Sequence, residues 1–170
     1  MAELTIKDYI TEELTSVEQK NALDFLTYLE ERGLYFHRDT GAYWRDKIYY
    51  WIQLEGKCVC FIAINEDGPG SNHWTVWSDD CGSEWLENAQ VEDDIKEIAW
   101  EKVDHCGHCG SCKGGKPKVI FGKKFDAVCG CTFRADNPTA QEIAFLKVMV
   151  DIRIKEIMND SLSIQSISKV

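Results

Sequence analysis

The sequence predicts an α+β protein: an antiparallel sheet of about six strands with helices packed on one face, in the order α-ββββ-α-ββ-α, carrying a Cys-rich metal loop. Three observations predict it. Apolar residues recur at helical spacing near both ends of the chain. Short runs rich in aromatic and β-branched residues lie between them. Turn residues separate these runs closely enough for sequential strands to pair antiparallel. The 170 residues, 44% hydrophobic and 28% charged, suit one domain of ordinary size. That domain is expected over residues 1–160, with the Cys-rich segment at 104–131 inside it and a polar tail at 161–170.

Each element has its own signal. Thr5 and Asp8 can open a short helix with Ile6, Tyr9, Ile10 and Leu14 on one side. A second helix start follows at Thr15 and Glu18, a capping-box pattern, with Val17, Ala22, Phe25, Leu26 and Leu29 after it, and Gly33 is placed to end that helix. Leu34–Arg38 reads as a short aromatic strand. Tyr43–Leu54 alternates, with Trp44, Ile48, Tyr50, Ile52 and Leu54 on one face and Tyr43, Arg45, Lys47, Tyr49, Trp51 and Gln53 on the other. Glu55-Gly56-Lys57 is a tight turn, and Cys58–Ile64 returns as a strand apolar on both faces. Cys58 and Cys60 are expected in the core. A turn-rich loop leads to the aromatic strand His73–Asp79. Glu84–Val103 reads as a helix interrupted near Asn88. Lys118–Phe121 and Phe125–Arg134 form a hairpin around Gly122, with Phe125, Ala127, Cys129, Cys131 and Phe133 on one face. Thr139 and Glu142 supply another capping box, and Ile143, Leu146, Val150, Ile154 and Ile157 line a last helix ending near Met158.

Composition narrows the function. The net charge of −10 argues against binding nucleic acid through the surface as a whole. The N-terminus has no signal-peptide pattern, and no apolar run approaches the ~20 residues that span a bilayer. A soluble, cytoplasmic protein is therefore expected. Eight cysteines in such a chain point to metal or redox work rather than to disulfides.

Five of those cysteines fall in one region. Cys106, Cys109 and Cys112 follow at i, i+3 steps among Gly107, Gly110, Gly114 and Gly115, and Cys129 and Cys131 lie further on. Zinc takes four ligands from thiolate and imidazole, and a Cys-x-x-Cys turn places two sulfurs on one ion. The expected ligands are Cys106, Cys109, Cys112 and Cys129, with Cys131, His105 and His108 as alternatives for the fourth position. An iron-sulfur cluster is the alternative cofactor, although the Cys-Pro that usually completes such runs is missing. Lys113, Lys116, Lys118, Lys123 and Lys124, with no acid between Cys106 and Phe125, can offset thiolate charge or form an anion-binding patch.

No catalytic spacing emerges among His37, His73, Asp79, Asp80 and Glu84. The aromatic strands are more suggestive, because aromatic walls with few polar groups suit flat or cationic small molecules. Trp44, Tyr50, Trp74 and Trp77 are the candidate cleft residues.

The N-terminal helix, the Trp/Tyr-rich hairpin Tyr43–Trp51 with Cys58–Ile64, the following aromatic strand, and the final helix through Leu146–Arg153 together resemble small bacterial proteins of the gyrase-inhibitor-like, effector-binding superfamily. The resemblance covers residues 17–157. It implies a sheet with helices on one face and a cleft for a small hydrophobic or cationic molecule, with no catalytic residue carried over. The expected function is a non-enzymatic small-molecule (effector) binding domain braced by structural zinc. The alternatives are a metal-dependent enzyme using the Cys-rich site, or a protein that grips acidic partners through the Lys-rich loop.

Overall fold

In the computed structural model, residues 4–41, 44–79, 85–110 and 112–167 are described. Helices α1 (Ile6–Glu13) and α2 (Ser16–Glu31) precede strands β1 (Tyr35–Arg38), β2 (Ile48–Leu54), β3 (Lys57–Ile64) and β4 (Trp74–Ser78). Then come α3 (Trp85–Asn88), α4 (Asp93–Glu101), β5 (Val103–His105), β6 (Lys116–Ile120), β7 (Lys123–Asp136) and α5 (Ala140–Ile167). The α+β class holds, with seven strands rather than six. The added strand is β5, too short for alternation to reveal and sitting where the α4 pattern runs out. The helix expected over 84–103 is interrupted after Asn88 as expected, giving α3 and α4, and the last helix runs past Met158 to Ile167.

The sheet is antiparallel throughout, in the order β1-β2-β3-β4-β7-β5, and β6 also pairs with β7. One of its faces shares a core with the helices. Ile10, Phe25, Leu26, Leu29, Phe145 and Ile157 from the helices meet Ile52, Ile62, Trp74 and Phe133 from the strands, all essentially sealed from solvent. Amphipathic helices and a half-apolar sheet bury their stripes together, which is the main source of stability in this architecture.

The caps follow the sequence in part. Thr5 and Asp8 form a reciprocal capping box on α1, and Thr139 and Glu142 do the same ahead of α5. Thr15 does not: its side chain makes no cap bond, and its backbone N–H donates to Asn72 Oδ1 at 2.6 Å. The α1–α2 corner is thereby tied to the β3–β4 loop.

Helices α2 and α5 are joined by a polar network. Arg32 Nε donates to Asp151 Oδ1 at 2.6 Å, Tyr28 Oη donates to Asp151 Oδ2 at 2.7 Å, and the guanidinium lies 3.3 Å from the Tyr28 ring centre. Burial works to raise the Asp151 pKa, but the bonds from Arg32 and Tyr28 outweigh it and hold the carboxyl below its ordinary range. A carboxyl depressed on folding adds stability above its unfolded pKa, and that stability is lost as pH falls through the folded value. Asp151 is half exposed, so the contribution is limited to about 1 kcal/mol. Asp151→Asn should lower neutral-pH stability and flatten the acid limb in urea unfolding between pH 2 and 6. Superimposable pH profiles for variant and wild type would contradict this account.

Candidate functional sites: an aromatic sheet face and a cysteine loop

The face of the sheet turned away from the helical core carries a row of rings. Strand register aligns His37 with Trp51, Trp51 with Phe61, Phe61 with Trp77, and Trp77 with Arg134, one residue from each of five neighbouring strands. Four inter-strand steps make this row ~19 Å long. The parallel row beside it is Tyr49, Ala63, Thr75 and Asp136. Trp51 meets Phe61 edge-on at 5.2 Å, Tyr49 stacks on Phe61 at 5.9 Å, and Trp44 stacks on Tyr49 at 3.8 Å and 6°. The Arg134 guanidinium lies 5.2 Å from the Trp77 ring and bonds Asp136 through Nε at 3.1 Å. Trp51 Nε1 donates to Asp39 at 3.2 Å. Tyr49 is 6% exposed. Burial foremost, then the neighbouring Cys131, Cys58, Asp39 and Asp79, push its phenol pKa well up, so Tyr49 is a neutral ring at ordinary pH.

The sheet divides the four expected cleft residues. Trp44 and Trp77 belong to this aromatic face. Tyr50 and Trp74 lie on the other face, 4% and 0% exposed, inside the helical core. Trp74 packs against Phe25 with ring centres 6.5 Å apart. Trp44 was expected on the face of Tyr50 because the alternation reads through from Tyr43. The strand starts only at Ile48, and a turn closed by Trp44 N–H to Gly41 O and Lys47 N–H to Trp44 O carries the indole to the opposite side. Tyr49, Trp51 and Phe61 complete the face, and the alternation of β2 and β3 already opposed them to Tyr50 and Ile62.

Cys106, His108, Cys109 and Cys112 surround a surface hollow of about 140 Å³ with Gly110, Lys113 and Gly114. Backbone amides already point at two sulfurs: His108 N–H donates to Cys106 Sγ and Gly114 N–H to Cys112 Sγ, both at 3.4 Å. Such N–H···S bonds are the outer-shell contacts of thiolate metal sites. The left-handed backbone at His108, Gly110 and Gly114 bends the loop to allow them. Gly115 has to be glycine, because a Cβ there would fall 2.5 Å from Cys106 Cβ and 2.6 Å from the Ala127 carbonyl. That close approach lays the loop on β7, where Cys106 N–H also donates to Ala127 O at 2.8 Å.

Strand β7 is distorted where its cysteines lie. Val103 pairs with Phe133 but His105 pairs with Val128, so β7 spends several extra residues there. Thr132 is fully buried with φ of 59°, rare for a β-branched residue. The bulge is held from both sides. Lys118 Nζ donates to Thr132 Oγ1 at 2.6 Å and Gly130 O at 3.3 Å, Ser78 Oγ donates to Cys131 O, and Phe133 N–H donates to Ser78 Oγ. The single face expected for Phe125, Ala127, Cys129, Cys131 and Phe133 is broken by this bulge and by left-handed Ala127. Burial foremost raises the Cys129 thiol pKa, a backbone N–H bond from Cys131 works against it, and Asp104 adds to the rise. Cys131 lies on the side of Tyr49 and Cys58.

Among the described residues, no three His, Cys, Asp or Glu side chains converge closely enough to hold one ion. His105 is exposed at the end of β5 beside Phe125, and His108 Nδ1 is 4.0 Å from Cys106 Sγ. Cys60 is in the core, as expected, whereas Cys58 is half-buried beyond a bulge in β3, its thiol pushed up by burial. Of the five lysines, Lys118 is built into the β7 bulge and Lys123 lies about 5 Å from the Trp100 and Phe125 rings, which leaves Lys113, Lys116 and Lys124 as exposed charges.

The remaining polar candidates are dispersed. His73 lies between Asp67 (3.4 Å) and Asp136 (3.7 Å), Asp79 faces Arg153 at 3.8 Å, and His37 stacks on Tyr35. Tyr43, Asp80, Cys81 and Glu84 lie outside the described residues.

Fold and sites together define an α+β protein with an aromatic sheet face and a separate cysteine loop. The chain matches no family model, no curated protein and no solved structure. No described helix is long and apolar enough to cross a membrane.

Proposed function

We propose that this chain is a non-enzymatic domain that binds a small hydrophobic or cationic molecule on its aromatic sheet face, and that Zn²⁺ held by Cys106, Cys109, Cys112 and Cys129 braces the fold beside it. The observation that carries the binding reading is the register-aligned row Trp51, Phe61 and Trp77, roofed by Trp44 over Tyr49. Half-buried rings outside the main core offer large stacking area with little entropy left to lose. The guanidinium over Trp77 shows the kind of planar partner such rings attract. A gyrase-inhibitor-like effector-binding relationship is part of the proposal, supported by an antiparallel sheet whose helices share one face.

The donor chemistry supports zinc. Three thiols share one hollow, two already accept backbone N–H bonds, and Cys129 belongs to β7, the strand on which Gly115 lays the loop. Zinc would supply a closed tetrahedral cross-link between the loop and β7, and no reacting group.

Tryptophan fluorescence, titrated with a panel of lipophilic cations and uncharged flat aromatics, tests the binding reading. At least one compound should give a saturable change, weakened about tenfold by Trp77→Ala, the ~1.4 kcal/mol scale of one aromatic contact. A flat response across the whole panel would sink it.

A further inference from the structure

Strand β1 leaves one edge of the sheet open. It pairs with β2 and, among the described residues, with no other strand. The bond from Asp39 N–H to Tyr49 O sets which of its groups face that edge. Hydrogen-bonded and non-bonded pairs alternate along an antiparallel ladder. Tyr35 and His37 therefore turn their N–H and C=O toward β2, and Phe36 and Arg38 turn theirs outward.

Open edges are usually blunted by proline, lysine, a bulge or a covering loop, because their unpaired groups template further strands. The far end of the sheet follows that rule: β5 has three residues and lies against the β7 bulge. β1 does not. Its residues are Tyr-Phe-His-Arg, and its register with β2 runs without a shift. Its one permanent charge, Arg38, is turned aside, the guanidinium lying 4.6 Å from the Tyr9 ring centre. On the aromatic face Tyr35 is 64% exposed and stacks on exposed His37 with ring centres 6.4 Å apart.

The pattern of the strand matches itself. A twofold axis perpendicular to the sheet at Phe36 sets two copies of β1 antiparallel. Each Phe36 then exchanges both N–H···O bonds with the other. Tyr35 comes opposite the partner's His37, on the same face and in the closer, non-bonded type of pair. The Tyr–His ring contact made along one strand recurs twice across the junction. No like charges oppose each other, because Arg38 meets the partner's Leu34.

We propose that β1 is a self-association edge and that its partner is a second copy of this chain, joined through β1 into one continuous antiparallel sheet. The partner's Tyr35 adds its ring to the end of the row of His37, Trp51, Phe61 and Trp77. Four residues a side, against about 20–30 in a standard interface, make this a weak dimer, with a dissociation constant of roughly tens of micromolar. Each copy carries a net charge of −10, so added salt tightens the dimer by screening repulsion.

Sedimentation velocity of the full chain from about 5 to 500 µM tests it, at low and at high salt. Wild type should pass from monomer to dimer, at lower concentration in high salt. Tyr35→Lys and His37→Lys, both at exposed positions, should each weaken the dimer at least about tenfold by setting a lysine on the edge. Val17→Lys, at an exposed apolar position on α2, should leave it unchanged. A wild type monomeric at the highest concentration in high salt overturns the proposal. So does a dimer that both β1 variants form as readily as wild type, or one that Val17→Lys weakens as much as they do.

Discussion

Zinc removal should produce the largest change in this protein. Elemental analysis of protein purified under reducing conditions without chelator is expected to show one zinc per chain, and its absorption spectrum no iron-sulfur bands. Prolonged chelation should then lower the melting temperature by roughly 10 °C or more, because structural zinc in small thiolate sites contributes on the order of 10 kcal/mol of binding free energy that is coupled to folding. Cys109→Ser should reproduce most of the chelation effect, while Cys131→Ser should not, since the fourth ligand on this reading is Cys129. Metal-free protein that melts like the purified form would remove zinc from the account.

Trp74→Ala is expected to be the most damaging single core substitution, at about 3 kcal/mol. Deleting a large buried ring costs about 3–5 kcal/mol. The lower end applies because Trp74 Nε1 is buried without a hydrogen-bond partner, and removing it relieves that penalty. At this chain length the melting temperature should fall by roughly 6–12 °C. Its contrast with Trp77→Ala is the useful part. Trp74 should govern stability with ligand affinity unchanged in the folded fraction, and Trp77 the reverse. A Trp74→Ala protein that melts within a degree or two of wild type would contradict the core assignment.

The helical stripes were legible because periodicity is a property of consecutive residues. Ile143, Leu146, Val150 and Ile157 could be placed on one buried face before any strand was located. Strands with clean alternation were legible too: Ile62 and Ile64 sit in the core as the pattern of β3 requires. What sequence could not supply was the point at which alternation stops. Three residues, Arg45, Asp46 and Lys47, separate Trp44 from the start of β2, and parity carried across that turn sends it to the wrong side of the sheet. The β7 bulge is the same failure from a different cause. Its fixing groups, Lys118 and Ser78, come from other strands, so nothing adjacent to Thr132 announces its left-handed backbone. The cysteine loop was visible as composition and spacing. Its docking on β7 through Gly115 depends on a contact with Ala127 that no local pattern encodes.

The position of β7 in the sheet bears on how the chain reaches this structure. Strands β1 to β4 pair with their sequence neighbours and can zip up early, at small loop-closure cost. β7 must then find β4, with Thr75 meeting Asp136, after the whole α3–β6 segment has been threaded between them. Long-range pairing of this kind slows folding, because chain entropy is given up before the contacts form. A clamp between the cysteine loop and Cys129 closes a much shorter circuit first and leaves less slack chain when β7 docks. On the zinc reading, the ion therefore acts on the search as well as on the finished molecule: it sets how quickly the last strand arrives.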